Sequence, residues 1–306
     1  MIIEEIKQKL FPNESFHLEQ NLKNNKKNFR VAVLNKGTPK ERVIFIPKKI
    51  TKYCQRFILK EYLSELKPSD YCISYRKGFS IRKNASKHKQ GKYFLHLDIK
   101  HFFNNMIWKR FCEIVNNNYQ ETRLCKAINN PDDNAFLRRV LTYKNRIVQG
   151  SVTSPYISNL YLIEFDMFVH SYIVENDLDW TYTRYSDDIY FSSKKYIDHN
   201  LIDILDSKLK EQHLRLNFSK INFTKLKSSV RLTGLSLKKN KRIVVPTKFK
   251  KKMKNQIYKF LVKREGDKNM LMGELSFLKT NDYAYYKKMC NKYTDSSDLI
   301  MYIKNN

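Results

Sequence analysis

No run of about 18 or more uncharged apolar residues occurs in this chain, so a membrane-spanning helix is not expected. The N-terminus, Met1-Ile2-Ile3-Glu4-Glu5-Ile6, is acidic and amphipathic, unlike a secretory signal, and a soluble cytoplasmic protein is the expectation. The five cysteines, Cys54, Cys72, Cys112, Cys125 and Cys290, are odd in number and show no C-x-x-C pairing. That argues against a disulfide framework or a zinc site and for reduced thiols, mostly in the core. Internal repeats and low-complexity linkers are missing, so the parts of the chain should pack directly on one another. Acids are scarce as well: 30 Asp and Glu face 59 Lys and Arg, a formal charge of +29. Such a surplus repels itself unless a polyanion lies on the surface, and nucleic acid is the leading candidate. A lysine-rich coding bias, visible in the abundance of both Asn and Lys, could inflate the charge without creating it.

What is present is a chain of 306 residues with 42% hydrophobic content, enough for a sizeable core in one large domain or two modest ones. Residues 42–47 read as a short strand closed by proline, followed by an amphipathic helix over 50–66. Phe94-Leu95-His96-Leu97-Asp98-Ile99 alternates like a strand whose end delivers Asp98. Helical patterns cover 108–117, 134–141 and a long stretch at 154–174, where Pro155 suits a first turn after the loop Gln149-Gly150-Ser151-Val152-Thr153. Another helix is expected over 201–214, and strands over 221–224 and 230–233. From Lys238 onward the composition turns basic and helical, which places a domain boundary near residue 240.

Tyr185-Ser186-Asp187-Asp188 falls at the turn of an expected hairpin, between Trp180-Thr181-Tyr182-Thr183-Arg184 and Ile189-Tyr190-Phe191-Ser192. Adjacent carboxylates held at a sheet edge repel, and a divalent cation is the natural counter-charge. Turns favour Asp in any case, so the pair alone does not fix a metal site. Asp98 is distant in sequence but also ends a β-like run, so a sheet could unite the three. Three carboxylates suit two hard cations that activate a hydroxyl and neutralise a phosphate.

Three blocks in order, Leu97-Asp98-Ile99-Lys100-His101-Phe102-Phe103, Gln149-Gly150-Ser151-Val152-Thr153-Ser154-Pro155 and Tyr182-Thr183-Arg184-Tyr185-Ser186-Asp187-Asp188, resemble the palm of a reverse transcriptase. Gly78-Phe79-Ser80-Ile81 with Asn84-Ala85-Ser86-Lys87-His88 resembles the N-A-x-x-H element of bacterial retron enzymes, and Leu232-Thr233-Gly234-Leu235 resembles their V-T-G element. Serine replaces the usual alanine of Y-A-D-D, a small change, and Leu232 replaces valine. The second change keeps neighbouring bacterial families open, namely defence-associated or diversity-generating enzymes. A degenerate, non-catalytic RNA-binding scaffold is the remaining alternative, which the intact Asp98, Asp187, Asp188 and Gln149 argue against.

The resemblance implies an α+β right-hand polymerase: fingers and palm, with an antiparallel sheet plus helices, over 1–240, and a basic, mainly helical thumb over 241–306. It implies an RNA-directed DNA polymerase that copies part of a cognate structured noncoding RNA into short single-stranded DNA, primed from an RNA 2′-hydroxyl. Two Mg²⁺ ions would be held by Asp98, Asp187, Asp188 and the Ile99 carbonyl. Phe103 would gate the incoming sugar, Gln149 and Gly150 would contact the nucleotide, and Arg42 with Lys40 would grip its triphosphate. Lys220 would protonate departing pyrophosphate. Asn84, His88, Lys250, Lys251 and Lys254 would meet RNA, His88 equally serving to complete a local turn. The implied partners are the RNA, its DNA product, dNTPs and an effector protein for phage defence, with no membrane. Whichever nucleic acid is bound, affinity should fall roughly a thousand-fold or more between about 50 and 200 mM salt as counterions are released. A filter-binding series that stays flat over this range would contradict the polyanion reading.

Overall fold

A computed structural model describes residues 1–12, 18, 22, 25–38, 41–294 and 298–305. It opens with the helix Ile2–Leu10 and an antiparallel hairpin of β1 (Phe29–Leu34) and β2 (Arg42–Pro47). The centre is a sheet in which β3 (Tyr93–Asp98) is the first strand in sequence. Before its neighbours comes a small hairpin, β4 (Thr142–Tyr143) and β5 (Arg146–Ile147), turned through Lys144 and Asn145, both at positive φ. Then follow β6 (Trp180–Tyr185), β7 (Asp188–Ser193) and β8 (Asn222–Lys225), which complete a four-stranded antiparallel sheet ordered β6-β7-β3-β8. A second sheet of three strands, β9 (Ser229–Leu232), β10 (Leu235–Lys238) and β11 (Ile243–Val244), leads into the helices Thr247–Lys263, Lys268–Asn281, Tyr283–Tyr293 and Leu299–Asn305.

The alternation of β3 and β7 explains how this sheet serves two cores. Leu95 and Leu97 of β3, with Ile189 and Phe191 of β7, join a large cluster that includes Ile157, Leu160, Phe165 and Val169 from the helices behind them. Phe94 and Tyr190 point the other way, into a second cluster with Leu232, Leu235, Met253, Leu275 and Tyr286. The second cluster therefore starts at the β9–β11 sheet, and the division expected near residue 240 falls inside it. Among the described residues no helix is long and apolar enough to cross a membrane.

Several element ends differ from expectation. The helix expected over 154–174 is two, Ser154–Tyr161 and Ile163–Glu175, interrupted at Leu162 without any Pro or Gly to signal the break. The helix expected to reach residue 66 stops at Glu61 and continues as the short 3₁₀ turn Leu63–Glu65. That expected over 201–214 ends at Lys210, because His213 at φ +60 reverses the chain so that the Leu214 N–H returns to the Leu209 carbonyl.

Beneath the β6–β7 turn lies a fully buried ion pair. The Arg184 Nε and Nη2 donate to Asp166 Oδ1 and Oδ2 at 2.9 and 2.7 Å, and the Tyr182 hydroxyl donates to Oδ1 at 2.6 Å. Both charged side chains are 0% exposed. Removing one partner strands the other charge in the core, so Asp166→Ala should cost about 3–5 kcal/mol of folding stability in urea denaturation. A loss under about 1 kcal/mol, the worth of an exposed pair, would contradict this arrangement.

Candidate active site

Strands β6 and β7 are joined by two residues, Ser186 and Asp187, and the tight connection requires Ser186 to adopt φ +60. A non-glycine residue there is strained, and its surroundings hold it. The Ser186 N–H donates to Ser74 Oγ at 2.9 Å, and its carbonyl accepts from Arg184 Nη1 at 3.3 Å. Ser74 in turn donates to Asn159 Oδ1 at 3.0 Å, and Arg184 Nη2 donates to the Asn159 carbonyl at 3.1 Å. The turn thus stands on the buried Asp166–Arg184 pair.

The register of β3 against β7 sets Asp98 directly opposite Asp188, with Asp187 one residue back in the turn. The Asp187 carbonyl accepts from the Ile99 N–H at 3.1 Å, tying the turn to the end of β3. Burial, and then the charges of Asp188 and Asp98, push the Asp187 carboxyl above its ordinary range. Protein groups compensate the other two acids. Asp98 accepts from Asn217 Nδ2 at 3.1 Å and from Lys220 Nζ at 2.9 Å, while Asp188 Oδ1 accepts from His96 Nε2 at 2.7 Å. A cavity of about 590 Å³ opens beside them, lined by Tyr75, His96, Asp187, Asp188, Tyr190 and Thr233 among others.

The donor set is all hard oxygen and crowded with negative charge, which fits a divalent cation such as Mg²⁺. The acids are adjacent but not yet convergent: among the described residues no group of three or more His, Cys, Asp or Glu is drawn together closely enough to hold a metal ion. Asn217 and Lys220 occupy both oxygens of Asp98, whereas His96 engages only Oδ1 of Asp188.

The reverse transcriptase (RNA-dependent DNA polymerase) family matches residues 25–261. The chain belongs to the reverse transcriptase family. It is 25% identical over 266 residues to the Retron Ec86 reverse transcriptase of Escherichia coli, covering 85% of this chain and 79% of that one. The Retron Ec83 reverse transcriptase of Escherichia coli is 24% identical over 290 residues, 88% of each chain. These relatives make the chain a bacterial retron-type reverse transcriptase, an RNA-directed DNA polymerase. Its fold is that of right-hand polymerases: a telomerase from Candida tropicalis superposes on 72% of this chain with TM-score 0.52 at 13% identity, and one from Candida albicans on 88% with TM-score 0.51 at 11% identity. The matched region is 55% and 57% of those longer telomerase chains. Reverse transcriptase domains use divalent metal ions.

The other residues expected at this reverse transcriptase's site make no hydrogen bond to the aspartates, among the described residues. Arg42 opens β2 and is exposed; Lys40 lies outside the described residues. Strand β2 and the Gln149-Gly150 loop are joined where the Phe45 N–H donates to the Gln149 carbonyl at 2.8 Å. Gly150 has φ +100, and a Cβ there would lie 3.0 Å from the Phe45 carbonyl oxygen, so the position excludes other residues on both counts. Phe103 is half-buried beside Phe102, just after His101 at φ +50. Lys251 and Lys254 are exposed on the first C-terminal helix.

Three residues expected to meet RNA have partners within the protein. Lys250 is half-buried, ion-paired to Asp282 at 2.6 Å with its ammonium 4.3 Å from the Tyr285 ring centre, so it ties two helices together. Asn84 is buried and donates to Thr233 Oγ1 at 2.5 Å, which docks the second sheet against the helix Ile81–Lys87. His88 is buried too, its ring nitrogens 2.8 Å from Ser192 Oγ and 2.7 Å from Thr183 Oγ1, where it clamps β7 to β6. Residues the sequence did not single out are His96, Asn217, Ser74 and the Asp166–Arg184 pair. Of these only His96 carried a signal, since its position two before Asp98 puts both on one face.

Burial, and then the Lys87 charge, lower the His88 pKa to about 3. The unfolded chain takes up a proton near pH 6.5 that the folded chain refuses, so this residue's contribution to stability is intact above pH 6.5 and is lost as pH falls toward 3. Between pH 6.5 and 4.5, urea denaturation should show a loss of up to about 1.4 kcal/mol per pH unit that is absent from His88→Gln. Identical pH slopes in the two proteins would contradict it.

Proposed function

We propose that this chain binds a cognate structured noncoding RNA and copies part of it into a short single-stranded DNA that starts from a 2′-hydroxyl of the same RNA. The reaction serves antiphage defence in the cytoplasm, together with an effector protein. The observation that carries the catalytic half of this reading is the placement of Asp98 opposite Asp188, with Asp187 in the strained turn beside them. The retron relatives and the surplus of 29 positive charges support an RNA partner.

In this reading Asp98, Asp187, Asp188 and the Ile99 carbonyl would hold two Mg²⁺ ions, which would acidify the attacking hydroxyl and neutralise charge on the phosphates. The hydroxyl gives its proton to solvent as its oxygen forms a bond to the α-phosphorus of a dNTP and the bond to pyrophosphate breaks. Lys220, released from Asp98, donates a proton to that leaving group. Arg42 and Lys40 bind the triphosphate, where a guanidinium fork suits paired phosphate oxygens. The Gln149-Gly150 loop lets backbone approach the nucleotide, and the Phe103 ring excludes a ribose 2′-hydroxyl. The basic C-terminal helices from residue 247 onward act as thumb, with Lys251 and Lys254 along the phosphates.

Purified protein with its neighbouring noncoding RNA, Mg²⁺ and dNTPs should make DNA that stays joined to RNA until ribonuclease removes the RNA. Asp187→Ala and Asp188→Ala, folded as judged by an unchanged melting temperature, should each abolish product. Undiminished synthesis in either would remove these residues from the site, and DNA with no RNA linkage would exclude 2′ priming.

A further inference from the structure

His96 sits on the open face of β3 with Asp98, opposite Tyr190, two pairs along from the Asp98–Asp188 pair. Its ring stacks on Tyr190 with centroids 4.7 Å apart and planes 21° from parallel, and its Nε2 reaches the Asp188 carboxylate diagonally at 2.7 Å. At this distance the ring nitrogen is placed to donate to the carboxylate. Tyr190 is itself fixed: it is buried, and its hydroxyl accepts from the Thr233 N–H at 3.0 Å. Thr233 is held in turn by Asn84. The two sequence elements around Asn84 and Thr233, which catalysis leaves without a task, thus form the rear support of a ring that bears on a metal-site carboxylate.

We propose that His96 is a positioning residue for Asp188: by engaging Oδ1 it fixes the rotamer of the carboxylate and leaves Oδ2 for a divalent cation. Packing alone does not account for the contact. A phenylalanine would stack on Tyr190 as well, whereas only a polar hydrogen at this place can orient the acid. Groups that hydrogen-bond a metal-ligating carboxylate or imidazole from behind alter metal affinity by about 10- to 100-fold when removed.

The inference rests on the metal-binding role of Asp188, and one titration separates the two. Mn²⁺ alone, without RNA or nucleotide, is titrated into the full chain, and free Mn²⁺ is read by electron paramagnetic resonance. His96→Phe should weaken binding about 10-fold at an unchanged melting temperature, and His96→Gln, which restores a donor, should recover part of the loss. Asp188→Asn should weaken it as well. Wild-type affinity in His96→Phe beside a loss in Asp188→Asn would overturn the role of His96 alone. Wild-type affinity in Asp188→Asn would overturn the metal site itself and the inference with it. If His96→Phe does not fold, His96→Leu takes its place with the same expected loss.

Discussion

Everything at the catalytic end of the sheet depends on one buried ion pair. Burial works against a charged Arg184, and the Asp166 carboxylate more than offsets it, so the guanidinium stays charged in a dry interior. Ion pairs in such places give little net stability against an apolar replacement, because desolvation consumes most of the attraction. What this pair contributes is geometry. A guanidinium has more donors than one carboxylate can use, and the spare ones reach the backbone carbonyls of Ser186 and Asn159. The left-handed Ser186 is thereby fixed from below through Arg184 and from the side through Ser74. A strained two-residue turn can persist only when it is over-determined in this way.

The turn then creates an electrostatic problem at the sheet edge. Like charges directly across an antiparallel pair are destabilising, and here Asp98 faces Asp188 with Asp187 adjacent. The free chain answers with its own groups, Lys220 and Asn217 on one acid and His96 on the other. Lys220 is more than half exposed, so its attraction to Asp98 is screened and readily exchanged for a stronger cation. These weak, local partners offset part of the repulsion between Asp98 and Asp188.

How much of this was legible in the sequence follows from the range of the interactions. The period-2 alternation of residues 94–99 identified β3 and the position of Asp98 at its end, because a strand's face is written locally. The hairpin of β6 and β7 was legible for the same reason. Asp166, Arg184, Asn159 and Ser74 come from different elements, and no local pattern says that they meet. The same limit explains Asn84, His88 and Lys250. The resemblance to a retron element assigns Asn84 and His88 to RNA, and a basic run assigns Lys250, whereas their partners Thr233, Ser192 and Asp282 lie 32 to 149 positions away and turn them inward. The break at Leu162 has no residue signature at all.

The sheet's two cores explain why the acids lie where they do. Along the open face of β3 and β7, Phe94 and Tyr190 are sealed beneath the C-terminal unit, while His96, Asp188 and Asp98 continue past its edge. The Thr233 N–H caps the Tyr190 hydroxyl, and the cavity beside the aspartates runs along this edge, lined by Phe94, Tyr190 and Leu232 as well as by Thr233. A C-terminal unit docked any further along would cover Asp187 and Asp188, which are half-buried now, and one docked less far would expose Tyr190 and loosen the ring stacked on it. The Asn84–Thr233 hydrogen bond fixes that docking position. The elements around Asn84 and Thr233 therefore join the second core to the first beside the aspartates.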